Sequence, residues 1–159
     1  MRKILFIGLF LLTGYVFSQD YKVETKTSEK IDGTSTVTKS IKLVTEGSTF
    51  PMTEITVYNS VNGNKAENYF IFSYLGKEWR FYTNVTFNVD GTVFTIPMQN
   101  IRETMTGGVM EICLINIAPD FLAAIKRATS IKYQMSANRY VDTIHTLPEG
   151  ALEALKSIL

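Results

Sequence analysis

Few residues in this sequence have side chains suited to acid–base or nucleophilic chemistry, and His145 is the only histidine. A Ser-His-Asp or Cys-His site needs its partners within hydrogen-bond reach of the imidazole. The nearest acid, Asp142, lies three positions earlier on the apparent strand 139–146, where alternation places it on the opposite face. We therefore expect His145 to be a surface or packing residue at a strand end, and we predict no catalytic residue.

The sequence predicts neither a metal site nor a cofactor. One histidine and one cysteine, Cys113, cannot supply the four ligands of a structural zinc site. The five aspartates are scattered without calcium-loop spacing, and two of them, Asp32 and Asp90, belong to turn dipeptides. The Gly107-Gly108 pair lacks the strand and helix context of a phosphate-binding loop, so we interpret it as a turn.

Two residues of the apolar run 109–117 have chemically useful side chains. Cys113 is most simply a buried strand residue, because a reactive thiol needs an electropositive and accessible site. Glu111 is an acid among apolar residues, where an unpaired charge is costly. It fits a salt bridge to Arg80, Arg102 or another base, or an exposed edge position, and less well an acid role in catalysis.

Turn dipeptides predict how the strands around these residues pair. Asp90-Gly91 and Gly76-Lys77 are both typical of two-residue hairpin turns. Each turn fixes a register, and both registers place the apolar side chains on one face of the sheet. The predicted pairs are Val89 with Thr92, Phe87 with Phe94, Val85 with Ile96, Tyr74 with Trp79, and Phe72 with Phe81.

The two faces of this predicted sheet suggest different roles. The apolar face either fills the core or lines a ligand cavity in a barrel; its aromatic residues are Phe70, Phe72, Tyr74, Trp79, Phe81, Phe87 and Phe94. The wetter face is the better contact surface, since Arg and Tyr are enriched at interface hot spots. The candidate contact residues there are Ser73, Arg80, Tyr82 and Asn84.

The remaining segments complete a fold of the α+β class that is mainly antiparallel β. Asn62-Gly63 predicts a hairpin with Ile55 opposite Phe70, and Asp32-Gly33 one with Lys26 opposite Lys39, an unfavourable pair that favours a bulge or a frayed strand. Short helices are predicted at about 120–128 and 148–159 from apolar residues at helical spacing. We predict a meander sheet forming a sandwich or an open barrel, with both helices packed on it.

The N-terminus has the three parts of a secretory signal peptide, predicted over residues 1–18 with cleavage between Ser18 and Gln19. The apolar run is too short for a retained membrane anchor. Removal of the signal peptide, which contains Arg2 and Lys3, changes the formal net charge from +1 to −1. A near-neutral charge disfavours nucleic acid and anionic membrane as partners. Residues 19–159 then form one β-rich domain, exported to the periplasm or the medium, whose single cysteine allows no internal disulfide.

Several features resemble those of small secreted or periplasmic β-rich proteins of the Bacteroidota. They are the Ser18-Gln19 junction, Trp79-Arg80-Phe81, Val89-Asp90-Gly91, and the late order of helix, two strands and C-terminal helix. The resemblance implies export and a β-rich fold, and it implies no functional residue. We expect a non-enzymatic domain that binds a partner protein or an envelope component. The alternatives are a carrier of a small apolar ligand and an enzyme with a dispersed site.

Overall fold

The fold consists of two antiparallel β-sheets and two helices, as a computed structural model describes it for residues 21–29, 35–46 and 52–159. The predicted signal peptide, its cleavage site and the Asp32-Gly33 turn lie outside the described residues. The strands are β1 (Val23–Glu29), β2 (Ser35–Glu46), β3 (Met52–Asn62), β4 (Lys65–Gly76), β5 (Asn84–Val89), β6 (Thr92–Pro97), β7 (Gln99–Met105), β8 (Gly108–Asn116), β9 (Ile131–Ala137), β10 (Tyr140–Val141) and β11 (His145–Thr146). The helices are α1 (Pro119–Arg127) and α2 (Glu149–Ile158).

The strands divide between a six-stranded and a five-stranded sheet. The first sheet has the order β1-β2-β3-β4-β8-β7, and the second has the order β10-β9-β5-β6 with β11 also paired to β9. Buried rings of the two sheets meet, with Phe70 and Phe87 5.5 Å apart and Phe72 and Tyr133 6.3 Å apart between centroids. The predicted mainly antiparallel α+β class is confirmed, and the strands do not close into a barrel.

The register predicted for the Asp90-Gly91 hairpin is confirmed. Val89 pairs with Thr92, Phe87 with Phe94, and Val85 with Ile96. Both turn residues have positive φ, 47° at Asp90 and 93° at Gly91, as a two-residue turn with two left-handed positions requires.

The hairpin predicted at Gly76-Lys77 is wrong. The strand β4 ends at Gly76 and pairs on this side with β8, so Tyr74 lies opposite Glu111 and Phe72 opposite Cys113. Residues 77–83 then cross from the first sheet to the second. The turn dipeptide is a local signal, whereas the partner of β4 is decided by the apolar strand β8 further along the chain.

Two other registers differ from the predicted ones by small shifts. Asn62 pairs with Lys65, so the turn is centred on Gly63 and Asn64, and Ile55 lies opposite Phe72 instead of Phe70. Gly63 has φ 57° at the first central position, where a type II′ turn has its glycine.

In the first hairpin Thr25, not Lys26, lies opposite Lys39. The observed register thus avoids the predicted like-charge pair. The segment between Glu29 and Ser35, with the predicted Asp32-Gly33 turn, lies outside the described residues.

The C-terminal third confirms both helices and corrects one strand. The strand predicted over 139–146 is broken into β10 and β11, with residues 142–144 outside the ladder. Helix α1 buries Phe121 and Ile125 against the core, and α2 buries Leu152 and Leu155 while packing on β2. Among the described residues, no helix has both the length and the apolar character needed to span a membrane.

The core lies between the sheets and is filled by aromatic and aliphatic side chains. Phe121 packs between Phe87 and Phe94, with centroids 4.8 and 5.0 Å away. Cys113 is buried in β8, as predicted. Two predictions about single residues are wrong, since Phe81 is 54% exposed and Tyr82, assigned to the wetter face, is only 2% exposed.

Candidate functional site

The candidate site is the crossover segment, defined here as residues 77–83, which carries the chain from β4 to β5. It contains Trp79, the only tryptophan, followed by Arg80, Phe81 and Tyr82. A segment outside both sheets needs other partners for its backbone polar groups. For Arg80, Phe81 and Tyr82 those partners come from β7 and β8, whereas Thr83 exchanges backbone hydrogen bonds with Ser136 and Met98.

Glu111 of β8 binds the backbone of the crossover segment. Its side chain is 0% exposed, and its Oε1 accepts hydrogen bonds from the N–H of Arg80 at 2.5 Å and of Phe81 at 2.8 Å. Its Oε2 lies 3.3 Å from Nε of Arg102 on β7. Successive backbone N–H groups directed at one anion form a small concave anion site, which the carboxylate occupies. The predicted salt bridge to Arg102 is confirmed, and the predicted exposed edge position is wrong.

Arg102 and its neighbour Asn100 fix the next carbonyl of the segment. The carbonyl oxygen of Tyr82 accepts hydrogen bonds from the Asn100 side-chain amide at 2.6 Å and from the Arg102 guanidinium at 3.3 Å. Three consecutive residues, Arg80 to Tyr82, are therefore held by side chains of two neighbouring strands. This part of the crossover is rigid because its backbone groups have specific partners.

The backbone at Phe81 adopts a conformation that is unusual for its side chain. Its φ is 57°, in the left-handed region. For a bulky residue this conformation costs on the order of 1–3 kcal/mol and persists only where the surroundings impose it. The hydrogen bonds from Arg80 and Phe81 to Glu111 impose it here.

The same conformation leaves the Phe81 ring at the surface beside other interface-type side chains. The Trp79 ring is half-buried, with its centroid 6.0 Å from that of Phe81. The Arg102 guanidinium lies 5.3 Å from the Phe81 centroid. Arg80 donates from Nε to the Tyr74 hydroxyl at 3.2 Å, and its guanidinium lies 5.6 Å from the Tyr74 centroid. We call Trp79, Arg80, Phe81 and Arg102 the aromatic–arginine surface.

The four contact residues predicted from the sequence do not share one face. Ser73 is half-buried on β4 opposite Ile112, and Asn84 is half-buried at the start of β5 in the other sheet. Tyr82 is buried, with its hydroxyl 3.4 Å from a carboxylate oxygen of Asp142. Of the four, only Arg80 belongs to the aromatic–arginine surface.

The sequence predicts Trp79 and Phe81 on the apolar face; Trp79 does pack partly against the core, whereas Phe81 is exposed and is missed as a surface residue. The signal that points to them is Glu111, because a carboxylate in an apolar strand must find hydrogen-bond donors.

The surroundings of His145 correct the expectation about Asp142. Because the strand is interrupted at 142–144, an Asp142 carboxylate oxygen lies 3.9 Å from Nε2 of His145 instead of on the opposite face. The Thr143 hydroxyl lies 3.1 Å from the same nitrogen, and the Tyr133 ring stacks on the imidazole at 5.1 Å. In a catalytic triad the acid and the hydroxyl contact opposite ring nitrogens. Here both lie at Nε2, so the arrangement is not that of a triad.

Within the described ranges, no three His, Cys, Asp or Glu side chains are grouped closely enough to hold a metal ion. Comparison of the chain with family models, with curated proteins and with solved structures finds no match. The chemistry of the aromatic–arginine surface is therefore the main guide to function.

Proposed function

We propose that this chain is a non-enzymatic binding domain, exported as its N-terminus predicts, which docks a partner protein through the aromatic–arginine surface. The observation that carries the proposal is Phe81, which is 54% exposed and held at φ 57° by hydrogen bonds to the buried Glu111. Backbone strain and exposure of an aromatic ring are both unfavourable in the isolated domain. A partner that covers the ring would offset the cost of exposing it.

The composition of the surface supports a protein as the partner. Trp, Tyr and Arg dominate the energetics of protein interfaces, and Phe is enriched in them. Covering the exposed half of the Phe81 ring is worth about 1 kcal/mol by area alone. Because Glu111 and Arg102 already hold the backbone of the segment, binding need not order this loop.

The two alternative functions lack a specific observation in their favour. A carrier of a small apolar ligand needs space among the aromatic residues, whereas Phe70, Phe87 and Phe121 pack with centroids 4.8–6.3 Å apart. An enzyme with a dispersed site needs accessible catalytic groups, and Glu111, the most buried acid of the described residues, has both carboxylate oxygens engaged by the crossover segment and Arg102.

The test compares Phe81→Asn with the unchanged chain. Asn tolerates positive φ better than Phe, so we expect the melting temperature to stay the same or rise while the ring is lost. Each protein is immobilised and exposed to envelope extract of the source cells, and the retained proteins are quantified. The control is Val93→Asn, which removes another exposed apolar side chain from β6, 60% exposed.

The proposal requires a protein that is retained by the unchanged chain and by the Val93 variant but not by the Phe81 variant. Equal retention by all three chains would overturn the proposed surface. A small molecule that repeatedly co-purifies with the chain in native mass spectrometry, without any such protein, would favour the carrier instead.

A further inference from the structure

A second surface, independent of the proposed partner-binding site, lies on the outward face of β1, β2 and β3. A groove of about 260 Å³ crosses these strands, close to the smallest small-molecule sites, which start at roughly 300 Å³. The first sheet places this groove near its β1 edge, and the aromatic–arginine surface lies at the β7 end. Its floor consists of three small hydroxyl residues, Thr38, Ser40 and Thr56.

One wall of the groove is the face of an aromatic ring. Tyr58 stacks on Tyr69 of β4, with centroids 5.1 Å apart and planes 9° from parallel. Tyr69 covers one face of the Tyr58 ring, so the other face points toward β2, where Ser40 is the strand partner of Tyr58. The stacked pair holds the ring upright. Burial, with a smaller contribution from the charge of Glu54, raises the pKa of Tyr58.

A carboxylate held by two partners lines the same groove, four residues from Tyr58 on β3. Glu54 accepts a hydrogen bond from the Thr56 hydroxyl at 3.1 Å and pairs with Lys42 at 2.7 Å. The Glu54 side chain is 25% exposed, so it remains accessible from the groove. Hydrogen-bond donors and acceptors therefore line the same groove as an apolar ring face.

The charges around the groove nearly cancel. Lys22, Lys26 and Lys42 face Glu24 and Glu54, and one lysine is already paired with Glu54. A phosphate or sulfate ligand would select a stronger positive excess. A hydrocarbon ligand would select apolar walls in place of hydroxyl and charged side chains.

From this chemistry we propose that the groove binds a neutral saccharide. A sugar ring has an apolar C–H face that suits the electron-rich face of Tyr58. Its hydroxyl groups both donate and accept, which matches a site lined by hydroxyls, ammonium groups and carboxylates. The groove crosses β1, β2 and β3 and is open to solvent, so an oligosaccharide longer than the groove can still place one of its units on Tyr58.

The test is titration calorimetry of the full domain with three neutral hexasaccharides, built from α-1,4-glucose, β-1,4-glucose and β-1,4-N-acetylglucosamine, and with heparin as the anionic probe at two salt concentrations. We expect at least one to bind with micromolar to millimolar affinity. Tyr58→Ala should weaken that binding by about tenfold, and Tyr58→Phe, which keeps the ring, should weaken it less.

Ser40→Leu fills the floor while leaving the tyrosine pair in place, and it keeps the proposal testable if Tyr58→Ala fails to fold. It should also abolish binding. Ile101→Ser, at an exposed position on β7, is the control that should bind as the unchanged chain does.

Three outcomes would overturn the saccharide proposal: no binding of any hexasaccharide, equal binding by the Ser40 variant, or salt-sensitive binding of heparin alone, which would indicate an anion site. None of them bears on the partner-binding proposal, because Phe81 lies at the other end of the sheet.

Discussion

Replacing Glu111 by Ala should release the crossover segment. The substitution removes the acceptor of two backbone N–H groups and the partner of Arg102. An unsatisfied buried donor costs about 1–3 kcal/mol, and removing one member of a buried ion pair costs roughly 3–5 kcal/mol. The Arg102 side chain is 33% exposed and can be rehydrated, so the total should be about 3 kcal/mol. Glu111→Gln keeps one carbonyl acceptor for both N–H groups and should cost about half as much.

The assay is urea unfolding followed by two signals. Far-ultraviolet circular dichroism reports the sheets, and the fluorescence of Trp79, the only tryptophan, reports the crossover segment itself. In the Ala variant we expect the fluorescence transition to precede the circular dichroism transition, because the segment loosens before the sheets unfold.

Glu103→Gln, an exposed acid on β7, is the matched control and should change stability by less than about 0.5 kcal/mol. The reasoning would be refuted if Glu111→Ala matched this control. If the Gln variant were as unstable as the Ala variant, the charge of Glu111 and not its acceptor geometry would be what holds the segment.

Two further predictions follow from titratable groups. Burial, and secondarily the charge of Glu111, raises the pKa of Cys113 from 9.0 to about 12, so a thiol reagent at neutral pH should label the unfolded chain and not the native one. Rapid labelling of the native chain would contradict this burial. Because the unfolded thiol ionises first, the stability that Cys113 contributes should also be lost as pH rises from about 9 to about 12. Hydrogen bonds from the backbone N–H and hydroxyl of Thr129 and from the Ser130 N–H lower the pKa of Asp90, so its contribution is present above the ordinary value of 3.8 and is lost as pH falls through the lowered one. Asp90→Asn should therefore lower the melting temperature at neutral pH and flatten its acid dependence; an unchanged acid slope would show that Asp90 is not the responsible group.

The sequence predicted those parts of the fold that depend on local signals. Asp90-Gly91 and the apolar alternation on either side are enough to fix the β5–β6 register. The same approach failed at Gly76-Lys77, because nothing local shows that β4 pairs with β8. Tyr74 and Trp79 had compatible side chains for a hairpin, yet compatible pairs are common among apolar strands and do not select one partner.

The candidate site was only partly predictable for the same physical reason. The sequence marks Glu111 as a costly acid that needs a partner, and Arg102 is one of the bases it predicts for that role. The backbone N–H groups that complete the hydrogen bonding of the Glu111 carboxylate carry no residue-specific signal, since every residue except proline has one. Phe81 appeared to be a core residue because its exposure follows from its φ, which the sequence does not specify.

The pairing of β4 with β8 also has a consequence for biosynthesis. The whole β5–β6 hairpin and β7 lie between these two strands along the chain, so β4 is synthesised long before the strand that covers its edge. Until β8 emerges, that edge offers unpaired backbone groups next to Phe70 and Phe72, which is a template for pairing with another nascent chain. Pairing with β8 thus covers an edge of β4 that would otherwise be open to another chain.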